Sequence, residues 1–336
     1  MKSQLICLIA IFILTSACSE EILDSTSSND QPLSDNVTNN TQNESSSSST
    51  DDCGDTAQLD SSRGACTEEL PWQSQVTINT DNETTTITTN GIPDHQVGLF
   101  GNSVGSLNPN AISQQSATYR ISSQPEIADR ASLLLDPNTG PQYSFGVMLN
   151  GVQIDPEAAE PWPHTRPVNF NTANFAWNLD AMSINLGLDC NNAHVQPSGK
   201  YHYHGSPTLY LEQLNISNSR MTLIGYAADG FPLYYKYGYE ESNSSNSMIK
   251  ELRSSYQLKS GERPGDGASA PCGEYTGIYT ADYQYIEGLG DLDECNGRNG
   301  VTPEYPNGTY YYVITDSYPY VGRCLVGTPS SDFRLR

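Results

Sequence analysis

Histidine and positive charge are both scarce in this chain. Five His stand among 336 residues, and 16 Lys and Arg face 39 Asp and Glu, for a formal net charge of -23. A surface so poor in cations has no basic stripe with which to neutralise a phosphate backbone, which argues against nucleic acid as a partner. Long apolar runs are missing as well: the one from Leu5 to Leu14 is too short to span a bilayer. No C-x-x-C suggests a thiolate metal site, no G-x-S-x-G elbow supplies a serine nucleophile, and the Gly-rich segments lack phosphate-loop spacing.

What stands at the N-terminus points to export. Met1-Lys2, the short apolar run and Thr15-Ser16-Ala17-Cys18 have the layout of a secretory signal over residues 1–17. A cysteine directly after Ser-Ala, with Ser19-Glu20-Glu21 behind it, resembles a bacterial lipobox. That resemblance implies lipidation of Cys18 and attachment to the outer membrane or cell surface, with plain secretion as the alternative. Residues 18–69 are rich in Ser, Thr, Asn and Asp and carry twelve acids against the single Arg63. Such a composition buries too little surface to offset its ordering entropy and reads as a disordered tether. With Cys7 and Cys18 set aside, Cys53, Cys66, Cys190, Cys272, Cys295 and Cys324 remain, an even set suited to disulfides in an oxidising compartment. Cys53 and Cys66 are expected to close a local loop.

Residues 70–336 read as a single, mainly β domain. Runs rich in β-formers cover Gln75 to Thr89, Ala117 to Ser122, Tyr143 to Leu149, Met221 to Ala227, Phe231 to Tyr237 and Thr309 to Thr315, with turn signals at Asn90-Gly91, Asn150-Gly151 and Asn307-Gly308. Short helices are expected at Phe170 to Asn178, Thr208 to Asn215 and Ser247 to Gln257. The expected architecture is an antiparallel β-sandwich or irregular β-barrel with a few short helices.

Two of the five histidines occupy alternate positions in Gly199-Lys200-Tyr201-His202-Tyr203-His204-Gly205. On an extended strand the period of two sends His202 and His204 to one face and the tyrosines to the other. Tyr201 and Tyr203 then read as core residues and the imidazoles as a pair able to share a metal. The motif follows Asp189-Cys190 and His194. It precedes Leu223-Ile224-Gly225-Tyr226-Ala227-Ala228-Asp229-Gly230-Phe231-Pro232 and Asp291-Leu292-Asp293-Glu294-Cys295-Asn296-Gly297-Arg298. In these blocks, with Asn90 to His95 and Tyr305 to Tyr310 flanking them, the chain resembles the YHYH domain family. The resemblance implies an exported protein with one domain over most of the body, and no established activity comes with it.

His194 can fold back beside the motif across Pro197-Ser198-Gly199, and His95 is the remote candidate for a further ligand. His164, in a proline-rich loop, is a weaker one. Neutral imidazoles in an oxidising compartment suit copper or zinc. Asp229 is a candidate to orient a ligating histidine or act as general base, with an Asx-turn as the plainer reading. Asp291, Asp293 and Glu294 suggest calcium less strongly, because their spacing is not that of an EF-hand loop. Three functions fit: a lipid-anchored surface protein that sequesters or presents copper or zinc, an exported His-ligated hydrolase or oxidoreductase, and a recognition module for a glycan or other small molecule. Convergence of the histidines beside a cavity favours the enzyme, convergence without one the metal binder, and scatter neither.

Overall fold

The computed structural model describes residues 57–335; the signal segment, Cys18, Cys53 and the tether up to residue 56 lie outside the described residues. Its centre is an eight-stranded mixed sheet, which does not close into a barrel. The strands run in the order Ala193–Val195, Tyr201–Tyr203, Gln153–Ile154, Gly146–Met148, Leu223–Ala227, Pro232–Tyr235, Thr309–Ile314 and Gly297–Gly300. The Tyr201–Tyr203 strand lies parallel to Gln153–Ile154, and Pro232–Tyr235 parallel to Thr309–Ile314; the other pairings are antiparallel. The mainly β expectation therefore holds, with an open mixed sheet in place of a barrel.

Apolar residues on these strands explain the layering. Val147, Ile154, Tyr203, Ile224, Leu233, Tyr312 and Ile314 are fully buried in one large core cluster. A sheet buried on both faces needs near-continuous apolar sequence, and Tyr310 to Ile314 supplies it. A second sheet of Val76–Thr80, Thr84–Thr89 and Ala117–Ser122 adds Ile87, Tyr119 and Ile121 to the same core. The expected run from Gln75 to Thr89 is thus a hairpin. Asp81 Oδ1 turns it by accepting from the backbone N–H groups of Glu83 (2.9 Å) and Thr84 (2.8 Å).

Of the three expected helices, the one at Thr208–Gln213 forms. Residues 170–178 do not make a helix: Asn174–Asp180 is a strand paired antiparallel with Glu157–Trp162, with bulges interrupting the register on both sides of Asn178. Nor do 247–257, from which the strands Ile249–Glu251 and Tyr256–Leu258 enter two small, tyrosine-rich two-stranded sheets. In both places pairing to a neighbour overrides weak local propensity. Among the described residues no helix is long and apolar enough to cross a membrane.

Residues 57–69, assigned to the tether by composition, lie against the body. Asp60 N–H donates to the Ser183 carbonyl, Gly64 N–H to the Leu188 carbonyl, and Cys66 is disulfide-bonded to Cys190. A local Cys53–Cys66 loop is thereby ruled out; covalent anchorage outweighs the polar composition. Cys295 pairs with Cys324, and Cys272 is also disulfide-bonded.

The most enclosed ion pair joins Arg263 to Asp282, whose carboxylate also accepts from the backbone N–H groups of Gly277 (2.9 Å) and Tyr279 (3.4 Å). Breaking one side of such a pair leaves a buried charge uncompensated, so Asp282→Asn should cost about 3–5 kcal/mol. Urea denaturation of the variant against the parent protein checks this; a loss under 1 kcal/mol would contradict the account.

Candidate metal centre

His194 and His202 face each other across an antiparallel hairpin whose register pairs Val195 with Tyr201, His194 with His202 and Ala193 with Tyr203. The turn closes through Gly199 N–H to the Gln196 carbonyl (2.8 Å). Gly199 has φ +81°, and a Cβ there would stand 2.1 Å from Ser113 Oγ, so both conformation and space require glycine. One residue past the strand, His204 N–H donates to the Asn192 carbonyl (2.7 Å), which keeps its ring level with the other two.

The tyrosines take the opposite face. Tyr201 donates to Asp189 Oδ2 at 2.7 Å, while the Tyr203 hydroxyl meets Asn150 Nδ2 at 2.9 Å and His95 Nε2 at 2.7 Å. Both rings are core residues. With the tyrosines fixed there, strand alternation leaves the imidazoles no other side.

Three rings result within reach of one ion. The centroid of His194 lies 4.8 Å from those of His202 and His204, which are 4.7 Å apart, and one nitrogen from each falls within 4.8 Å of the others. Ligands on a tetrahedral centre with bonds of about 2.0–2.1 Å stand roughly 3.3 Å apart. The nitrogens would draw closer together to share one ion at that spacing. His194 Nδ1 lies 3.0 Å from the Leu186 carbonyl and His202 Nδ1 3.5 Å from that of Lys200. A carbonyl accepts only from N–H, so Nδ1 of His194 carries the proton and Nε2 presents its lone pair, the arrangement found in metal-ligating histidines. His204 is buried, and among the described residues neither of its ring nitrogens has a hydrogen-bond partner. A buried imidazole without a partner calls for an explanation, and a metal ion supplies one.

Electrostatics favour the neutral, ligating form. Burial pushes His202 and His204 well below the usual histidine range, and their neighbouring imidazoles push further. His194 is lowered by burial too, with a smaller contribution from the Arg166 guanidinium.

The trio opens onto a cavity of about 520 Å³, whose wall also includes Asp155, Glu157, Glu160 and Arg166. Asp155 directly follows the strand parallel to the motif, and its N–H donates to the Tyr203 carbonyl (2.8 Å). Its Oδ1 accepts from Glu157 N–H at 3.2 Å, and burial raises the carboxyl to about 7. Glu157 is likewise raised by burial, against the pull of Arg323, whose guanidinium lies 3.3 Å away. Arg166 pairs with Glu160. None of these four was singled out from the sequence. The available signal was Asp155-Pro156-Glu157, acids continuing straight on from the apolar Val152 and Ile154.

The other candidates fall elsewhere. His95 sits on the tyrosine side of the motif strand, bound to Tyr203 and the Gln96 carbonyl, and does not join the trio. Asp229 accepts from the Tyr312 hydroxyl (2.6 Å), Gly327 N–H (2.8 Å) and Phe231 N–H (3.4 Å), a turn-stabilising role away from the cavity. His164 Nε2 meets the Tyr279 hydroxyl at 2.9 Å. Asp293 Oδ1 accepts from Cys295 N–H, Gly297 N–H and the Tyr310 hydroxyl, and Asp291 is paired with Lys250, so these acids hold a turn.

A family profile described as YHYH protein matches residues 118–327. No curated protein and no solved structure matches the chain.

The shifted groups predict opposing pH effects on the metal-free protein. The histidines are harder to protonate folded than unfolded, so their contribution is present above about pH 6.5 and is lost as pH falls below it. Asp155 holds its proton more tightly when folded, so its contribution is present at low pH and is lost as pH rises from about 4 towards 7. Asp155→Asn should therefore steepen the acid-side loss of stability by about 1.4 kcal/mol per pH unit between roughly pH 4.5 and 6.5. Denaturation midpoints measured across that range in the presence of a chelator test the sign, and an unchanged slope contradicts it.

Proposed function

We propose that this chain, which belongs to the YHYH family, binds a transition metal through His194, His202 and His204 and uses it as an exported metal-dependent enzyme. The observation that carries the reading is the opening of three convergent, buried imidazoles onto a cavity that has a carboxyl raised to about 7 in its wall. Zinc or copper is the proposed ion, since neutral nitrogen ligands suit both. Held by His194, His202 and His204, such an ion would act as a Lewis acid on a bound water, lowering its proton affinity enough for hydrolysis or hydration near neutral pH.

The chain's own residues supply the rest. The Leu186 carbonyl orients His194, and Asp155 can accept or return a proton near neutrality, where general acid–base catalysis is most effective. A cavity of this volume is of the size that encloses a small organic molecule. Sequestration or presentation of metal would need no such space, so the cavity favours turnover over storage. A recognition surface built on the motif's tyrosines is disfavoured by the burial of Tyr201 and Tyr203.

The proposed setting is outside the cytoplasm, with lipid attachment at Cys18 and disulfides holding the body together. The His202→Ala, His204→Ala double variant should lose bound metal by elemental analysis and lose metal-dependent hydrolysis of an activated ester such as p-nitrophenyl acetate. Asp155→Asn should keep the metal and lose about 10²–10⁴-fold in kcat/KM. Equal metal content in the parent protein and the double variant would refute the site.

A further inference from the structure

We infer that residues 57–69 act as a clamp on the proposed metal centre, that Arg63 is a positioning residue for it, and that reducing Cys66–Cys190 loosens its grip on the ion. The inference rests on the metal reading above and adds its regulation.

The clamp holds the 182–192 loop, which runs into His194, at several points. Asp60 N–H bonds the Ser183 carbonyl (2.9 Å), and Asp60 Oδ2 accepts from Asn185 (3.0 Å), a residue in the cavity wall. Gly64 N–H reaches the Leu188 carbonyl (2.9 Å). Between these contacts lies Leu186, whose carbonyl sets the His194 tautomer. Cys66 then bonds Cys190, four residues before His194, and its Sγ accepts from the Asn191 side chain at 3.3 Å.

Arg63 reaches the third ligand. Its Nε donates to Asn192 Oδ1 at 2.6 Å, and one terminal nitrogen donates to the Met182 carbonyl at 3.0 Å. Asn192 in turn receives His204 N–H on its carbonyl and gives its own side-chain N–H to the Ser206 carbonyl at 2.8 Å. Asn192 has φ 53°, a left-handed conformation that the contacts around it must hold in place. One short segment thus steadies the acceptor for His194 and the backbone of His204, while His202 is fixed separately by the hairpin.

The covalent part of the clamp is within reach of a reductant. Cys66 and Cys190 are half-buried, whereas Cys295 and Cys324 are 4% and 5% exposed. A small dithiol attacks one sulfur through its thiolate, forms a mixed disulfide, then closes its own ring disulfide. Two electrons and two protons pass to the protein, the Cys66–Cys190 bond breaks, and two thiols remain. With that bond gone, the 182–192 loop keeps only hydrogen bonds to the clamp, and the trio loses its preset spacing.

Co(II), whose visible bands report ligand number and geometry, serves as the probe. In the oxidised parent protein it should bind with the spectrum of a nitrogen-ligated site. The Cys66→Ser, Cys190→Ser double variant and Arg63→Ala should each bind at least tenfold more weakly with shifted bands, and Arg63→Lys should recover part of the loss. Equal affinity and an identical spectrum in the double variant overturn the clamp while leaving the metal centre standing. If the double variant does not fold, Arg63→Ala decides, since its disulfide is intact: unchanged affinity overturns the inference. Failure of the oxidised parent to bind Co(II) at all refutes the metal reading itself.

Discussion

The buried hydrogen bond from the Tyr201 hydroxyl to Asp189 Oδ2, 2.7 Å long, joins the motif strand to the loop that leads into its hairpin partner. The same carboxylate accepts from Gly98 N–H at 3.0 Å, Asn191 N–H at 2.9 Å and Ala193 N–H at 3.3 Å, so one side chain gathers three separated segments. Burial raises the Asp189 carboxyl while these donors pull it back. Once Tyr201 is held on that side, the pleat sends His202 the other way, and the hairpin register brings His194 opposite it. The tyrosines of the motif are the anchor that aims its histidines. The meeting of His194 and His202 on one side of the hairpin follows from that division of faces.

Those parts of the site were legible because they depend on short-range geometry. A period of two placed His202 with His204, and Pro197-Ser198-Gly199 between His194 and the motif implied a return turn. His95 was misplaced for a different reason. Nothing in sequence tells which face of a distant strand a loop residue will meet, and His95 meets the Tyr203 hydroxyl instead of the imidazoles. Asp229 takes the plainer of its two readings, a turn in which it accepts from Phe231 N–H, with the Tyr312 hydroxyl, 83 residues away, as a further partner. Asp155 escaped notice because its place beside the histidines comes from a parallel pairing between remote strands, which leaves no periodic mark, and Glu157 and Arg166 because theirs come with the ion pairs to Arg323 and Glu160. The segment 57–69 shows composition misleading in the other direction: one disulfide and a few backbone bonds order residues whose side chains bury little.

The acidic balance of the chain also reads differently once its few cations are located. Arg263 and Arg323 are nearly enclosed, and each is matched to a buried carboxylate, Asp282 in one case and Asp180 with Glu157 in the other. Arg323 keeps its charge securely; although burial alone would lower its affinity for the proton, the neighbouring carboxylates raise it overall. It therefore offsets Glu157 at the back of the cavity while Arg166 and Glu160 offset each other. Among the described residues Asp155 forms no ion pair with an arginine, and its proton compensates instead.

That arrangement determines how a cation would be received. Three imidazoles kept neutral by burial have no protons to surrender at neutral pH, so binding there competes little with hydronium. The incoming charge would then act on Asp155 across the cavity, favouring its ionised form and drawing its proton off. Under the proposed function, metal binding would thereby be linked to release of the Asp155 proton. The proposed site would thus separate two tasks that a cluster of ordinary surface histidines would combine: the imidazoles would hold the ion, and the Asp155 carboxyl would handle the proton.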